Sequence, residues 1–160
     1  MSDNYLVRAA EIAAFQATAK THFLNDNAKR QNKSLGDLTG LTGFGFHLIE
    51  VEPGCESTEY HVHHYEDECT YVLSGQGHVL IGDTKHAIAE GDFIGYRKKG
   101  QPHTMMNTSN ENLVCIVVGE RLAHDVGDYP KKKKRIYRHA DMPANVVDHE
   151  HIEEPVLSKK

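Results

Sequence analysis

Residues 54–75 read GCESTEYHVHHYEDECTYVLSG, a segment with a glycine at each end and two histidines, His61 and His63, near its middle. Side chains two residues apart on a β-strand point to the same face, so the two imidazoles are predicted to lie side by side. Glu68 begins the next predicted strand, where an antiparallel return would bring its carboxylate back beside the histidines. The segment therefore predicts two short strands that present a cluster of side chains able to bind a metal.

The sequence on both sides of this segment has the two-residue period of β-strands. Residues 44–51 alternate between two faces, and short apolar runs continue to Gly119, separated by turns rich in glycine and polar residues. Many brief strands with such turns are typical of an all-β sandwich or barrel. After residues 44–51, strands are predicted at 58–63, 68–74, 77–82, 84–89, 92–96, 103–108 and 112–119.

The pattern weakens at the two ends of the chain. Residues 8–20 are rich in alanine and predict a short helix or an extended arm. After Gly119 the alternation stops, so the C-terminal residues are predicted to form an irregular tail that packs on the barrel or on a partner subunit. The predicted organisation is one domain with an N-terminal arm (1–42), a barrel (43–120) and a C-terminal extension (121–160).

Length and composition exclude several functional classes. With 160 residues the chain can bury one core but is too short for two catalytic domains. A formal charge of −5, from 18 basic and 23 acidic side chains, gives no general attraction to nucleic acid or to anionic membranes. The amino-terminal residues do not resemble a signal peptide, and no apolar run approaches the ~18 residues of a membrane span, so we expect a cytoplasmic protein. Cys55, Cys69 and Cys115 match neither a zinc motif nor a redox pair and are predicted to be reduced thiols.

A later histidine extends the candidate metal site. His103 opens a predicted strand, and three imidazoles with one carboxylate suit Mn, Fe, Co, Ni, Cu or Zn while leaving an open coordination position. The alternative for His61 and His63 is a chance pair, because a His-x-His pattern arises readily in a chain with 12 histidines. His64 is out of phase with both and is predicted to point away from them.

Two motifs resemble the paired signatures of the cupin family, in the family's order. The first is Gly54-x6-His61-x-His63-x4-Glu68-x6-Gly75, and the second is Gly91-x5-Arg97-x2-Gly100-x2-His103-x3-Asn107. The resemblance covers residues 43–119 and implies a single-domain cupin β-barrel, or jelly roll. It also implies that one divalent metal ion (Zn, Mn, Fe or Ni) is bound by the family's four ligands, which fall here on His61, His63, Glu68 and His103.

The second motif departs from the family pattern in the loop before its histidine. Arg97 stands where the family usually has proline, and one additional residue precedes Gly100. In the first motif, the spacing from glycine to histidine is one residue longer than usual. The two differences in the second motif loosen the loop before His103 but retain the ligand.

The wider sequence is similar to a subgroup of bacterial cupins that carry only the provisional label of sugar-phosphate isomerase. This resemblance implies a metal-dependent enzyme that isomerises or epimerises a small polar substrate such as a sugar or sugar phosphate. Two alternatives stay open, an Fe(II)-dependent dioxygenase using the same four ligands and a non-catalytic small-molecule-binding or sensor module. The matching runs are residues 36–41, 118–121, 124–126 and 128–130.

Uncharged side chains that share the inward phase are candidates for the wall of a substrate pocket. Thr70 and Met105 are predicted to line it, together with Phe44 or Phe46. The alternative for these side chains is plain barrel core.

Charged side chains near the predicted rim are further candidates. Glu59 and Glu68 are candidates for moving a proton, and a solvated edge carboxylate is the alternative for Glu59. Arg97 and Lys99 precede His103 and are predicted to hold a phosphate or carboxylate of the substrate. The basic run at residues 131–135 is interpreted as a solvated surface, with a nuclear import signal or a phosphate-binding patch as the alternatives.

A homodimer is also expected from the sequence. A small barrel has sheet edges and an apolar outer face to cover, and exchange of residues 1–30 between two subunits would cover part of them.

Overall fold

The computed structural model describes residues 4–157, which form mainly antiparallel β-strands and few helices, so the predicted all-β fold is confirmed. Residues 1–3 and 158–160, the outer ends of the predicted arm and tail, lie outside the described residues. The helices are α1 (Ala9–Ala14) and α2 (Leu35–Leu38), with 3₁₀ turns at Pro130–Lys132 and His149–His151. The strands are β1 (Thr18–His22), β2 (Asn25–Ser34), β3 (Phe44–Val51), β4 (Val62–His63), β5 (Glu68–Ser74), β6 (Gln76–Ile81), β7 (Thr84–Ala89), β8 (Phe93–Tyr96), β9 (His103–Met106), β10 (Leu113–Glu120), β11 (His124–Tyr129), β12 (Lys134–His139) and β13 (Met142–Asp148).

Three sheets enclose the interior of the domain. The largest has the strand order β1-β2-β3-β10-β5-β8, the second β13-β12-β11-β4 and the third β7-β6-β9. A bridge between His61 and His103 joins the second sheet to the third. The His61 amide donates to the His103 carbonyl at 3.1 Å, and the His103 amide donates to the His61 carbonyl at 2.8 Å. This junction brings together two segments that are about forty residues apart in the chain.

The apolar core lies between the large sheet and the third sheet. Val51 and Leu113, directly opposite each other on β3 and β10, are both fully buried. Such burial of apolar side chains stabilises the barrel by roughly 1.5–3 kcal/mol for each large aliphatic residue. The core residues are Ile49, Val51, Val72, Val79, Ile88, Ile94, Tyr96, Met105, Leu113 and Cys115.

Strand β3 has the opposite phase from the one predicted for the pocket wall. Gly45, His47 and Ile49 line the central cavity, whereas Phe44 and Phe46 do not. Phe44 is 40% exposed. The prediction assumed that the aromatic residues turn inward, but this part of the interior is a polar cavity, and a histidine and a glycine face it instead.

The N-terminal segment contains a β-hairpin that the sequence did not indicate. The short helix expected within residues 8–20 forms as α1, and β1 and β2 follow it. Strand β2 joins the large sheet by pairing with β3, from Gln31 opposite Glu50 to Ser34 opposite His47. Its sequence, NDNAKRQNKS, has almost no apolar period. Backbone pairing with β3 holds this strand in place, and such pairing leaves no hydrophobic pattern to detect.

The C-terminal segment expected to be an irregular tail is ordered as strands β11, β12 and β13. Charged pairs take the place of an apolar period, because Asp125 lies opposite Arg138 and Asp128 opposite Arg135 in the β11–β12 register. The Arg138 Nη2 to Asp125 Oδ2 distance is 2.8 Å, and the Arg135 Nε to Asp128 Oδ1 distance is 2.7 Å. Opposite charges facing each other across antiparallel strands stabilise the pairing, and a search for alternating apolar residues does not detect them.

Two lysines of the basic run at residues 131–135 contact other side chains of the domain. The Lys131 Nζ lies 4.5 Å from the centre of the Tyr60 ring, and the Lys134 Nζ lies 2.5 Å from Asp148 Oδ1. The three cysteines are free thiols, as predicted.

Among residues 4–157, no helix has the length and apolar character needed to cross a membrane.

Candidate metal centre

Three of the predicted ligands meet in the interior. His61 immediately precedes β4 and His63 ends it, and the centres of their rings are 4.9 Å apart. Glu68 begins β5 after a four-residue loop and turns back towards them. One donor atom from each of the three side chains lies within 4.8 Å of the others, which is the spacing of ligands around a single ion.

His103 completes the group from the third sheet. Its ring centre is 4.6 Å from that of His61, and its Nε2 lies 3.6 Å from Glu68 Oε1. On its other side, the Tyr96 ring stacks on the imidazole with a centroid distance of 3.6 Å and an interplanar angle of 5°. This stacking fixes the plane of the His103 ring.

Each imidazole uses its Nδ1 outside the cluster. The His61 Nδ1 donates to the Glu59 carbonyl at 2.8 Å, and the His63 Nδ1 contacts the Asp125 carboxylate at 2.7 Å. The His103 Nδ1 has a longer contact of 3.4 Å with the Gln101 carbonyl. Because carbonyls and carboxylates accept hydrogen bonds, these contacts place a proton on Nδ1 and leave the lone pair of Nε2 available to a metal.

A buried nitrogen without a hydrogen-bond partner indicates that the site suits a metal. The His103 Nε2 is buried and has no hydrogen-bond partner among the described residues. A buried polar atom without a partner is costly, and a cation bound to this lone pair would remove that cost. The donor set of three imidazoles and one carboxylate therefore fits a divalent transition metal.

The protonation states also suit a metal site. Burial lowers the pKa of His61 to about 3. Burial disfavours the charged form of Glu68, but the contact with His103 and the neighbouring His61 outweigh it and lower the Glu68 pKa to about 2. At neutral pH His61 is thus neutral and Glu68 is ionised, which are the forms that bind metals.

His63 is held by two buried acids and a partly exposed arginine. Burial lowers the pKa of His63, but the hydrogen bond with Asp125 and the nearby charges of Glu68 and Asp125 together outweigh it and raise the pKa overall. The Asp125 side chain has no exposed surface and also accepts from Arg138 Nη2. The same Arg138 group donates to Glu66, which is 5% exposed and also accepts from the Leu122 amide.

A second group of donors, His63, Glu66 and Asp125, also lies within 4.8 Å. Arg138 already pairs with both of its carboxylates, so this group acts as a support for His63. The sequence patterns did not indicate Asp125 or Arg138 as parts of the site. Their one signal is the opposite charge of facing residues in β11 and β12, which becomes visible only when those strands are known.

The other predicted site residues divide into two groups. Thr70 and Met105 line the central cavity, which has a volume of about 320 Å³. Glu59 is buried but does not line the cavity, and its carboxylate lies 3.9 Å from Lys132 Nζ. Arg97 and Lys99 are exposed and are not in the cavity wall. The cavity is lined by Arg30, Gly45, His47, Ile49, Ser57, Thr58, His61, His63, Glu66, Asp67, Glu68, Thr70, Tyr96, His103, Thr104, Met105, Val117, Gly119, Glu120, Arg121, Tyr129 and Arg138.

His64 lies outside this cavity, in a polar cluster on the neighbouring face. Its Nε2 contacts Asp128 Oδ2 at 2.8 Å, and Asp128 also pairs with Arg135. Burial disfavours the charged form of Asp128, but the hydrogen bonds from Arg135 and His64 hold the pKa of this carboxyl well below its usual value.

Comparison with known proteins agrees with this geometry. The Cupin domain family matches residues 47–119. A protein of known structure from Acidithiobacillus ferrooxidans, named a "Putative sugar phosphate isomerase", is 48% identical, with 96% of this chain and 97% of the other aligned at a TM-score of 0.90.

Two more distant structures share the fold. A sugar phosphate isomerase of the cupin superfamily from Silicibacter pomeroyi is 23% identical over 89% of this chain and 90% of the other, with a TM-score of 0.76. A predicted oxalate decarboxylase from Thermotoga maritima is 22% identical over 73% of this chain and 99% of the other, with a TM-score of 0.59. No curated protein has a significantly similar sequence. The family match, together with the 48% identity along nearly the whole chain, shows that this protein belongs to the cupin superfamily.

Proposed function

We propose that this protein is a metal-dependent enzyme that isomerises a small sugar or sugar phosphate in its central cavity. The observation that carries the proposal is the cluster of inward-facing histidine Nε2 atoms and the Glu68 carboxylate in a cavity of about 320 Å³. This volume is at the lower end of the range for small-molecule sites. The name given to the 48% identical protein from A. ferrooxidans supports the same substrate class.

In this proposal His61, His63, Glu68 and His103 hold one ion of Zn, Mn, Fe or Ni. A divalent ion held by these residues would supply Lewis-acid chemistry, polarising the carbonyl and hydroxyl oxygens of a substrate so that the adjacent C–H bond becomes more acidic. Glu68 acts as a ligand, because a carboxylate with a pKa of about 2 is a weak general base at neutral pH. Glu59 positions His61 through its backbone carbonyl.

In this scheme His47 takes the proton from the substrate carbon and returns it to the neighbouring carbon. It lines the cavity, and burial lowers its pKa so that the imidazole is neutral at physiological pH. A neutral imidazole is a competent general base. Thr70 and Met105 supply a mixed polar and apolar wall for the substrate.

Hydrogen exchange is the direct test of this activity. Incubation of the metal-loaded protein with aldose and ketose phosphates in D₂O is expected to place deuterium on the carbon next to the carbonyl, as followed by proton NMR. The matched control is the double variant His61→Ala/His103→Ala, for which no exchange above background is expected. Oxygen consumption without exchange would instead identify a dioxygenase, and ligand binding without turnover would identify a binding module.

We also propose that the protein acts as a homodimer in the cytoplasm. The outer face of the large sheet supports this, since Tyr71 and Phe93 lie opposite each other on β5 and β8 and are 44% and 67% exposed. Paired exposed aromatic residues beside an edge strand suit an interface between subunits. Sedimentation analysis is expected to give twice the chain mass of 18.0 kDa, and a monomer at micromolar concentration would contradict the proposal.

A further inference from the structure

Arg30 enters the metal-site cavity from outside the segment that matches the Cupin domain family. It lies on β2, and its neighbours two residues away, Ala28 and Asn32, are 2% and 3% exposed and share its inward face. The Arg30 side chain lines the same cavity as His61 and Glu68. The N-terminal hairpin therefore contributes a cation to a site whose other residues come from the barrel and the C-terminal strands.

This guanidinium has no anionic partner among the described residues. Its Nη1 donates to the Ser57 carbonyl at 2.9 Å, while its Nε is buried without a hydrogen-bond partner. The other two arginines in the cavity wall are paired, Arg121 with Asp37 and Arg138 with two carboxylates. Glu68 is close enough to act on Arg30 electrostatically but forms no ion pair with it. A partly buried cation without an ion-pair partner carries a desolvation cost that a bound anion would offset.

Further buried groups in the same wall lack partners. The hydroxyls of Thr70 and Tyr96 have none within hydrogen-bond distance among the described residues, and both side chains line the cavity with Arg30. Unpartnered buried polar atoms are rare in folded proteins. Their concentration around one cavity indicates a ligand with an acidic group and several oxygens.

We infer that Arg30 binds a phosphate or carboxylate group of the substrate and makes the site selective for acidic small molecules over neutral sugars. This inference rests on the proposed function, because it places the substrate beside the histidine and glutamate cluster. The planar guanidinium presents parallel N–H groups that match the oxygens of either anion, and partial burial strengthens the charge-assisted hydrogen bonds. Arg30 thereby holds the acidic group of the substrate, the role predicted from the sequence for Arg97 and Lys99.

Calorimetric titration of the metal-loaded protein tests the selectivity with three ligands: glucose 6-phosphate, gluconate and neutral glucose. The wild type is expected to bind at least one of the two anions more tightly than glucose, and the anion that binds identifies phosphate or carboxylate as the preferred group. Arg30→Gln is expected to weaken binding of that anion by about 10- to 100-fold, the effect of losing a hydrogen-bonded charge. Arg30→Lys, which retains the charge but not the fork of donors, is expected to lose less.

Lys29→Gln is the matched control, because it removes one positive charge from the exposed side of the same strand. It is expected to bind all three ligands as the wild type does. Thermal melting and metal analysis of every variant separate a loss of binding from a loss of folding or of metal. Should Arg30→Gln unfold, the comparison rests on Arg30→Lys and Lys29→Gln.

The inference is overturned if the wild type binds glucose as tightly as both anions or binds none of the three. It is equally overturned if a folded, metal-loaded Arg30→Gln protein retains the wild-type preference. Failure of the proposed function has a different signature, namely absence of metal from the wild type, or anion binding by wild type without deuterium exchange.

Discussion

The His103→Ala variant is expected to lose nearly all of its bound metal, with an affinity at least ~100-fold below that of the wild type, since changes to groups that merely support a ligand already cost about 10- to 100-fold. His103 supplies an Nε2 that is buried, points to Glu68 and has no other partner among the described residues. Removing it leaves three donors and an opening in the coordination shell. Elemental analysis after purification without chelator, followed by competition with a chromophoric chelator, measures the change.

His86→Ala is the matched control for this variant. His86 is exposed on β7, which flanks β6 on the side opposite β9, so the substitution deletes an imidazole from the same three-stranded sheet without touching the cavity. His103→Ala also removes the ring on which Tyr96 stacks. A second variant, His103→Phe, keeps an aromatic ring and is expected to lose the metal equally. Wild-type metal content in either His103 variant would refute the ligand assignment.

Replacement of Asp125 by asparagine is expected to weaken metal binding by about 10- to 100-fold and to destabilise the fold by about 1.5–3 kcal/mol, the effect of losing a charge-assisted hydrogen bond. The Asp125 carboxylate is fully buried and holds both the His63 Nδ1 and the Arg138 guanidinium. Asparagine has the same shape but no charge, so Arg138 loses a buried counter-charge and His63 loses the charged acceptor that orients its ring. Metal competition and denaturant unfolding of the metal-free protein measure the two effects separately.

The acid dependence of stability provides a further check on Asp125. Burial disfavours its charged form, but the hydrogen bonds from His63 and Arg138 hold the pKa of the carboxyl well below its usual value. A lowered pKa in the folded state stabilises the protein above the unfolded-state pKa of about 4, and this stability is lost as the pH falls below that value. For Asp125→Asn, the free energy of unfolding is therefore expected to fall less steeply than for the wild type as the pH drops below about 4.

Asp128→Asn is the control for Asp125→Asn. Asp128 lies on the same strand, faces Arg135 as Asp125 faces Arg138, and contacts His64, which lies outside the cavity. This variant is expected to lose stability while keeping the wild-type metal affinity. Equal loss of metal affinity in both variants would show that Asp125 acts only through the general stability of the sheet.

The central barrel could be predicted from the sequence because its strands bury apolar side chains. The predicted bounds of 68–74 and 84–89 are those of β5 and β7. Strand phase also placed His61 and His63 on one face, since a two-residue period determines side-chain direction directly. Strand β4 is shorter than its predicted range of 58–63, because only Val62 and His63 pair regularly with β11.

The supporting parts of the site could not be predicted, because they depend on contacts between polar strands that are distant in the chain. Arg30 lies on a strand with almost no apolar residues, and Asp125 meets Arg138 only through the register of two charged strands. A charged residue in a polar segment is predicted to be solvent-exposed as long as its partner is unknown. Conversely, Arg97 and Lys99 are close to His103 in sequence but lie at the surface.

The two-residue strand β4 joins the segment that matches the family to a strand outside that segment. It carries His63 and pairs with β11 through Val62 opposite Asp128 and His63 opposite Gly127. Strand β11 lies beyond residues 47–119, the part that the family shares. A chimera that carried only this family segment on another scaffold would contain all four proposed ligands but would lack the strand that keeps one of them, His63, in register.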